Sequence, residues 1–412
     1  MSVQPFEIPG FPSEQRAKLV EKLISPVFPH EFEQNVGWSY GTPRWALEPM
    51  LKKWREDFDW EVSKAEMDRW NHFKTEIDGA NIHFVHERSK HPDAIPLVLL
   101  HGWPSTFYEF HKVIEPLRDG VDNGQAFHVV VPSLPGYGFS DPPPVPGWGT
   151  IKIAAIMNTL MIRLGYTKYV AHGVDWGSII ARGMACTHDE NCKALSTTLN
   201  ISLPPLPTPS ILWAAPLKVA KFMASLALGS DRVYGKGKLK ILGRSFADIE
   251  NDKDAGYRAI QGTRPYTLSY GLSDSPVGLL AWLLEKYHVW THHEGDKESA
   301  ILPPTIDVNE FLTQVNIYWM TNTISSSMRL YYERLQEPEA NSLMWKPVKV
   351  PCSAALFESE LAKVPRDWLE TWTNLVQFDE HPTGGHFSAL EEPKLTVNDL
   401  QRFGKKVKSA VE

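Results

Sequence analysis

The stretch TKYVAHGVDWGSIIAR, which runs from Thr167 to Arg182, decides how the rest of the chain is interpreted. Its apolar first part predicts a buried strand, and its last part predicts the beginning of a helix. Between them, GVDWG at 173–177 fits the G-x-nucleophile-x-G pattern of a sharp turn, with Asp175 where serine is usual. This predicts a carboxylate exposed at a helix N-terminus, which stabilises its negative charge. An acidic N-cap on a purely structural helix is the alternative.

Apolar runs and helical segments alternate on both sides of this turn. Buried strands are predicted by IPLVLL at 95–100, by the start of FHVVVPSLPGYGFSD at 127–141, and by ALSTTLNISLP at 194–204. TIKIAAIMNTLMIRLGY at 150–166 predicts a helix, while VKVPCSAALFE at 348–358 and NLVQFDE at 374–380 predict later strands. This alternation is typical of an α/β fold with a mostly parallel central sheet flanked by helices.

Two segments stand outside this alternation. Residues 1–75 are rich in Trp, Pro and charge, and we interpret them as an N-terminal extension. Residues 205–340 read as helical, and a helical insertion between late strands of a sheet is interpreted as a lid. The core would then comprise residues 76–204 and 341–412. It would open with a hairpin, because Asp78-Gly79 supplies the positive φ angles of a two-residue turn.

The composition excludes several classes of protein. The chain has 412 residues and a net charge of −7, with both signs spread along it and no basic stripe. We therefore expect no nucleic-acid partner. The three cysteines (Cys186, Cys192 and Cys352) form no CxxC pair, so neither a metal site nor a disulfide framework is indicated.

The sequence shows no signal for secretion or for membrane insertion. The N-terminus has no apolar h-region, and no window approaches the length of a spanning helix. The longest apolar segment begins at Ile211 and is interrupted by Pro216, Lys218 and Lys221. We therefore expect a soluble, cytoplasmic protein without a membrane anchor, with peripheral membrane contact through this segment left open. The N-terminal extension is expected to wrap the core and could support a homodimer.

Two loops are candidates to supply further catalytic groups beside Asp175. HGWP at 101–104 directly follows a buried strand, where a backbone N–H can serve an oxyanion hole. The amides of Trp103 and of Trp176, the residue after the nucleophile, are the expected donors. We assign His101 a structural role in holding this loop.

A second loop supplies the expected general base. GGHF at 384–387 follows the last predicted strand, and its His386 lies C-terminal to Asp175, as the order nucleophile, acid, histidine requires. The acid that orients this imidazole should follow the strand at 348–358. Both Glu358 and Glu360 lie there, and adjacency to the strand does not separate them.

With these motifs in place, the sequence resembles the epoxide hydrolases of the α/β-hydrolase superfamily, of the microsomal type and its soluble fungal relatives. The resemblance covers nearly the whole chain and implies an α/β-hydrolase fold with a helical lid. It rests on FDW at 58–60, HGWPS at 101–105, PSLPGYGFSD at 132–141, GVDWGS at 173–178, DSPVGLLAWLLEKYHVW at 274–290 and GGHF at 384–387.

The resemblance also selects residues that spacing alone leaves open. The family pattern F-x-x-E/D-L falls on FESEL, which implies Glu360 as the acid and Glu358 as the runner-up. The two lid tyrosines of the family would be Tyr257 and Tyr331, with the adjacent Tyr332 as a competitor.

The implied reaction converts an epoxide to a vicinal diol. Attack by Asp175 on saturated carbon gives an ester that water can cleave, whereas serine would give a stable ether. His386 and Glu360 would activate that water, and Tyr257 and Tyr331 would protonate the epoxide oxygen. The expected partners are a small-molecule epoxide and water, with no metal or organic cofactor. A haloalkane dehalogenase and a non-catalytic ligand receptor on the same scaffold are the alternatives.

Overall fold

The computed structural model describes residues 2–241 and 255–412, so residues 242–254 of the predicted lid lie outside the described residues. The strands of the described residues all belong to a nine-stranded sheet. They are β1 (Gln4–Pro5), β2 (His72–Ile77), β3 (Ala80–Glu87), β4 (Ile95–Leu100), β5 (Phe127–Pro132), β6 (Tyr169–Gly173), β7 (Cys192–Thr197), β8 (Val348–Leu356) and β9 (Thr373–Glu380).

The helices fall into three groups along the chain. The N-terminal group is α1 (Ser13–Ile24), α2 (Arg44–Glu56) and α3 (Trp60–Met67). The core helices are α4 (Ile114–Asp119), α5 (Thr150–Arg163), α6 (Asp175–Thr187), and later α16 (Arg366–Trp372), α17 (Ser388–Glu391) and α18 (Pro393–Val411). Between β7 and β8 lie α7 (Pro209–Ala214), α8 (Pro216–Leu228), α9 (Ser230–Tyr234), α10 (Gly256–Thr263), α11 (Pro265–Asp274), α12 (Pro276–Val289), α13 (Val308–Thr321), α14 (Ile324–Leu335) and α15 (Pro338–Leu343).

The sheet is parallel over most of its width, as predicted. Its order is β1-β2-β3-β5-β4-β6-β7-β8-β9. The pairs from β5 through β4 to β9 are parallel, and only β1, β2 and β3 add antiparallel pairs at one side. The predicted hairpin joins β2 to β3, with Asp78 at φ 53° and Gly79 at φ 86°. Because the carboxyl ends of parallel strands meet at one edge, the loops after β4, β6, β8 and β9 come together there.

Side chains of the central strands fill two cores, one on each face of the sheet. In β4, Val98 and Leu100 join one apolar cluster, while Leu97 and Leu99 join the other. This alternation follows from the two-residue period of a strand. Burial on both faces explains why the strand reads as a continuous apolar run.

The N-terminal extension packs against the helices between β7 and β8. The Trp38 indole stacks on the His288 ring with centroids 3.6 Å apart. The hydroxyls of Ser63 and Thr313 lie 2.8 Å apart in a buried hydrogen bond. The extension therefore packs directly against the helical insertion.

One predicted strand is shorter than the sequence suggests. β7 ends at Thr197, although the apolar pattern runs on to Pro204. The chain turns away after Thr197, and the Asn200 side chain donates to Ala355 O at 2.9 Å instead of continuing the ladder. Among the described helices, none has the length and apolar content needed to cross a bilayer.

Candidate active site

The turn between β6 and α6 holds Asp175 on a strained backbone, with the residue only 8 % exposed. Asp175 is the first residue of α6 and has a φ of 45°, a left-handed value that side-chain-bearing residues rarely adopt. Gly177 makes the turn feasible, since a Cβ there would lie 1.9 Å from Leu100 O. The carboxylate lies at the N-terminus of α6, as the sequence predicts.

The backbone of the loop after β4 contacts this carboxylate. The Trp103 N–H donates to Asp175 Oδ1 at 2.7 Å. Gly102 allows the close approach, because a Cβ on it would lie 1.9 Å from the same oxygen. The Trp103–Pro104 peptide bond is cis. Trp176 lies in the first turn of α6, where backbone N–H groups have no carbonyl partner within the helix.

His101 stabilises the conformation of this loop through hydrogen bonds to the backbone. Its Nε2 accepts from the Leu134 N–H at 3.1 Å, and its Nδ1 lies 3.1 Å from Gly102 O. Burial lowers the pKa of His101 to about 4, so the ring is neutral and donates from Nδ1. The geometry agrees with the structural role expected for this residue.

His386 lies between the two carboxylates expected to flank it. Its Nδ1 is 2.6 Å from Glu360 Oε1, and its Nε2 is 3.3 Å from Asp175 Oδ2. Glu360 is fully buried, and the Leu361 N–H donates to the same Oε1 at 2.7 Å. Burial alone would lower the pKa of His386, but its contacts with Glu360 and Asp175 raise it well above the ordinary value.

The geometry separates both pairs of alternatives that adjacent positions left open. Glu358 is exposed and pairs with Lys363 at 2.9 Å, whereas Glu360 contacts the imidazole. Tyr331 is buried against the site, whereas Tyr332 is 40 % exposed. The structure therefore brings Glu360 to the imidazole and Tyr331 to the cavity, and it leaves Glu358 and Tyr332 at the surface.

Tyr257 on α10 and Tyr331 on α14 face each other above Asp175. Their ring centroids are 5.8 Å apart. Tyr331 also contacts the Trp176 indole edge-on at 4.7 Å, and Tyr257 stacks on Trp103 at 5.4 Å. Burial, followed by the negative charge of Asp175 and neighbouring groups, raises the pKa of both tyrosines, so both remain O–H donors at neutral pH.

A cavity of about 770 Å³ opens onto Asp175, Trp176, Tyr257 and Tyr331. Most of its wall is apolar and comes from β7, the loop after it, and the helices of the insertion. Apolar residues on that wall include Ile179, Leu195, Leu199, Ile201, Leu203, Met344, Leu361 and Leu375. A pocket of this size and character suits a small apolar organic molecule. Among the described residues, no group of His, Cys, Asp and Glu is arranged to hold a metal ion.

Glu391 is a site residue that sequence reasoning missed. Its Oε1 accepts the N–H groups of Gly385 and Phe387 at 3.0 and 3.2 Å, and its Oε2 accepts the His292 N–H at 2.7 Å. The carboxylate thus fixes the backbone on both sides of His386 and ties it to the end of α12. The only signal in the sequence is an acid five residues after the base, which is weak because exposed helices carry many acids.

This combination of sheet, elbow and loops defines the chain as an α/β hydrolase. Residues 95–228 match the family model described as "alpha/beta hydrolase fold", and residues 3–110 match the one described as "Epoxide hydrolase N terminus". Epoxide hydrolase 1 of Sus scrofa is 33% identical over 420 residues, covering 98% of this chain and 88% of that protein.

Solved structures give the same result. Juvenile hormone epoxide hydrolase from the silkworm Bombyx mori superposes with a TM-score of 0.86 at 29% identity, covering 100% of this chain and 96% of that one. The Aspergillus niger epoxide hydrolase superposes with a TM-score of 0.76 at 31% identity, covering 99% and 97%. The chain belongs to the epoxide hydrolase family and is an enzyme of that type, as the sequence motifs predict.

Proposed function

We propose that this epoxide hydrolase works in two steps through a covalent ester on Asp175. The observation that carries the proposal is the arrangement of one carboxylate between three kinds of partner. Trp103 N–H contacts one oxygen, His386 Nε2 faces the other, and the tyrosine pair lines the cavity onto which the carboxylate opens. Each partner suits a different stage of the reaction.

In the first step, Asp175 Oδ2 attacks a saturated carbon of the epoxide. The new C–O bond forms an ester while the C–O bond of the three-membered ring breaks. Oδ1 remains as the ester carbonyl, since the Trp103 N–H already holds it at 2.7 Å. The attack needs no activation of the nucleophile by a base, because an ionised carboxylate is itself the nucleophile.

The leaving oxygen requires a proton, which we assign to Tyr257 and Tyr331. Their hydroxyls stay protonated because burial raises the pKa of each. Two donors can hold the epoxide oxygen while one transfers its proton to the developing alkoxide. General acid catalysis of this type contributes about 10²- to 10⁴-fold in rate.

In the second step, His386 removes a proton from water, and the oxygen attacks the Asp175 ester carbon. The oxyanion forms on Oδ1, beside the amides of Trp103 and Trp176, and its collapse breaks the ester C–O bond. The leaving alkoxide of the diol takes the proton held by His386, and the proton of the new Asp175 carboxyl group returns to the tyrosine that lost one in the first step. Esterification itself prepares the base. Because it removes the negative charge of Asp175, it removes one of the contacts that raise the pKa of His386. Glu360 then stabilises the imidazolium while the tetrahedral intermediate forms.

A haloalkane dehalogenase would share Asp175 and His386 but would bind a halide. One observation favours that alternative: the indole N–H groups of Trp103 and Trp176 are buried without an acceptor among the residues described. A halide leaves without needing a proton, however, so the facing tyrosine hydroxyls would have no role. Chloride release from chloroalkanes, measured beside diol release from epoxides, separates the two activities.

Trapping the ester tests the proposal. His386→Gln should form the ester at Asp175 and hydrolyse it slowly, so that mass spectrometry finds the peptide carrying Asp175 heavier by the mass of the epoxide. Asp175→Ala is the control and should carry no adduct. An adduct on another residue, or rapid diol release by Asp175→Ala, would contradict the proposal.

A further inference from the structure

Glu109 is a buried carboxyl group beside the active site to which the two-step reaction assigns no role. It lies in a short 3-10 helix, Phe107–Phe110, that follows the loop carrying Trp103. Its side chain is 1 % exposed. Oε2 forms a short hydrogen bond with the Ser105 hydroxyl, and Oε1 has no hydrogen-bond partner among the described residues. Buried carboxyl oxygens without partners are rare in native proteins, so this one requires an explanation.

The charges that face Glu109 keep it in the neutral acid form. Burial is the main cause, and the negative charges of Asp175 and Glu360 add to it, while Ser105 and His386 act in the opposite direction. The pKa of Glu109 rises to about 8 as a result. Glu109 is therefore mostly protonated at pH 7.

In its neutral form, Glu109 keeps Oε1 available as a hydrogen-bond acceptor. The Ser105 hydroxyl donates to Oε2 when Glu109 is ionised. When the acid is neutral with its proton on Oε2, this hydrogen bond reverses, and the Ser105 hydroxyl donates to Thr106 O at 3.2 Å instead. Oε1 is then a carbonyl-type oxygen with both lone pairs unused.

The Tyr287 hydroxyl on α12 is a second buried polar group in this region that has no described partner. The Tyr287 ring stacks on Phe387, the residue after the base, with centroids 4.1 Å apart. The 3-10 helix that carries Glu109 packs against α17, which begins directly after Phe387, so Glu109 and Tyr287 lie on elements that flank the same segment. Two unpartnered polar groups beside His386 form a suitable site for one water molecule.

We propose that Glu109 Oε1 and the Tyr287 hydroxyl bind and orient the water that His386 activates. The inference rests on the two-step reaction proposed above. The water would donate one hydrogen to His386 Nε2 and the other to Glu109 Oε1, with an oxygen lone pair directed at the Asp175 ester carbon. Glu109 keeps its own proton, so the proton from water goes to His386 alone and the mechanism stays balanced.

The neutral form of Glu109 also allows His386 to lose its proton and act as a base. In the ester, where Asp175 carries no charge, ionisation of Glu109 would add a second negative charge to that of Glu360 and hold the ring as imidazolium. We therefore expect ester hydrolysis to decline at alkaline pH as Glu109 ionises, whereas ester formation should not follow this decline. Glu109→Gln keeps the acceptor and the donor of the neutral acid but cannot ionise, so it should hydrolyse the ester normally at pH 7 and keep that rate at pH 9.

The test separates ester formation from ester hydrolysis. Stopped-flow tryptophan fluorescence in single turnovers measures both rates, since Trp103 and Trp176 contact the site. Glu109→Ala and Tyr287→Phe should each slow hydrolysis about 10- to 100-fold, as expected for a misplaced reactant, and leave formation within about threefold of wild type. Glu358→Gln, an exposed carboxylate change, is the control and should alter neither rate.

Three results would overturn the inference. They are a wild-type hydrolysis rate in both Glu109→Ala and Tyr287→Phe, equal damage from Glu109→Gln and Glu109→Ala, or an alkaline decline that persists in Glu109→Gln. If Glu109→Ala does not fold, the inference is tested by the isosteric Tyr287→Phe and by the pH profile of Glu109→Gln. Failure of the two-step reaction is distinguishable, because no ester would then form even in His386→Gln.

Discussion

Glu360 Oε1 lies 2.6 Å from Nδ1 of His386, with both side chains buried, while the opposite nitrogen of the same ring faces the elbow carboxylate. This contact holds the Nδ1–H toward Glu360, so Nε2 is the nitrogen that loses its proton when the ring becomes the base. Nδ1–H donates to Glu360, and Nε2 is directed at Asp175. The base is therefore oriented before substrate arrives.

Glu360→Gln should slow ester hydrolysis strongly and ester formation little. The amide removes the charge that stabilises the imidazolium, and loss of the orienting carboxylate in a comparable triad costs about 10⁴-fold. Burst kinetics should show accumulation of the ester followed by a slow steady state. The matched change Glu358→Gln, two residues away and exposed, should leave both phases unchanged. Equal effects of the two substitutions would contradict the assignment of Glu360.

The pKa of His386 should fall when Asp175 is esterified. In the free enzyme the contacts with Glu360 and Asp175 raise it well above the ordinary value, and the ester removes one negative charge. The rate of ester hydrolysis should therefore rise with pH through a lower apparent pKa than the imidazole shows in the free enzyme by NMR. Identical values in the two states would show that Asp175 does not act on the base.

Tyr257→Phe and Tyr331→Phe should each slow ester formation by about 10²- to 10⁴-fold, the usual contribution of general acid catalysis. Hydrolysis of an ester already formed should change far less, because the proton is needed when the epoxide ring opens. Tyr332→Phe is the control, since Tyr332 is 40 % exposed. If Tyr332→Phe slows ester formation and Tyr331→Phe does not, the lid assignment is shifted by one residue.

Glu391 should make stability depend on pH. Burial raises its pKa to about 7 in the folded protein, above the ordinary value near 4.5. The folded state therefore holds this proton more tightly, and the stabilisation it gives below pH 4.5 is lost as pH rises through 7. The full effect is at most about 3 kcal/mol.

Urea unfolding of wild type and Glu391→Gln from pH 5 to pH 8 measures this effect. The wild type should lose free energy of unfolding relative to the variant as pH rises. A constant difference between the two proteins would show that Glu391 does not titrate in this range.

Much of the fold was predictable because its signals are local. The run at 95–100 is apolar at every position, and β4 occupies those residues because both faces of the strand are buried. Asp78-Gly79 forms the predicted hairpin turn, and the glycines of the elbow lie where the backbone of β4 comes closest. The end of β7 was not predictable, since the apolar pattern continues where the chain already bends toward the cavity.

The site residues also differ in whether local sequence signals or tertiary packing identify them. Asp175 and His386 lie in motifs with distinctive neighbours, and the structure brings these two predicted residues together. Choosing Glu360 and Tyr331 over adjacent residues needed the family resemblance, and the structure supports it by burial and contact. Glu109 and Glu391 escaped prediction because an acid in a sequence reads as a surface residue. Only the tertiary packing buries them beside the base.

The most direct test of the central claim is a single turnover in H₂¹⁸O with enzyme in excess over epoxide. If Asp175 forms the ester and water cleaves it at the carboxyl carbon, the peptide carrying Asp175 gains one ¹⁸O atom. The diol of that first turnover then contains only ¹⁶O from the enzyme and the epoxide. Label in the first diol, with none in Asp175, would mean that water attacks the epoxide directly and would contradict the account.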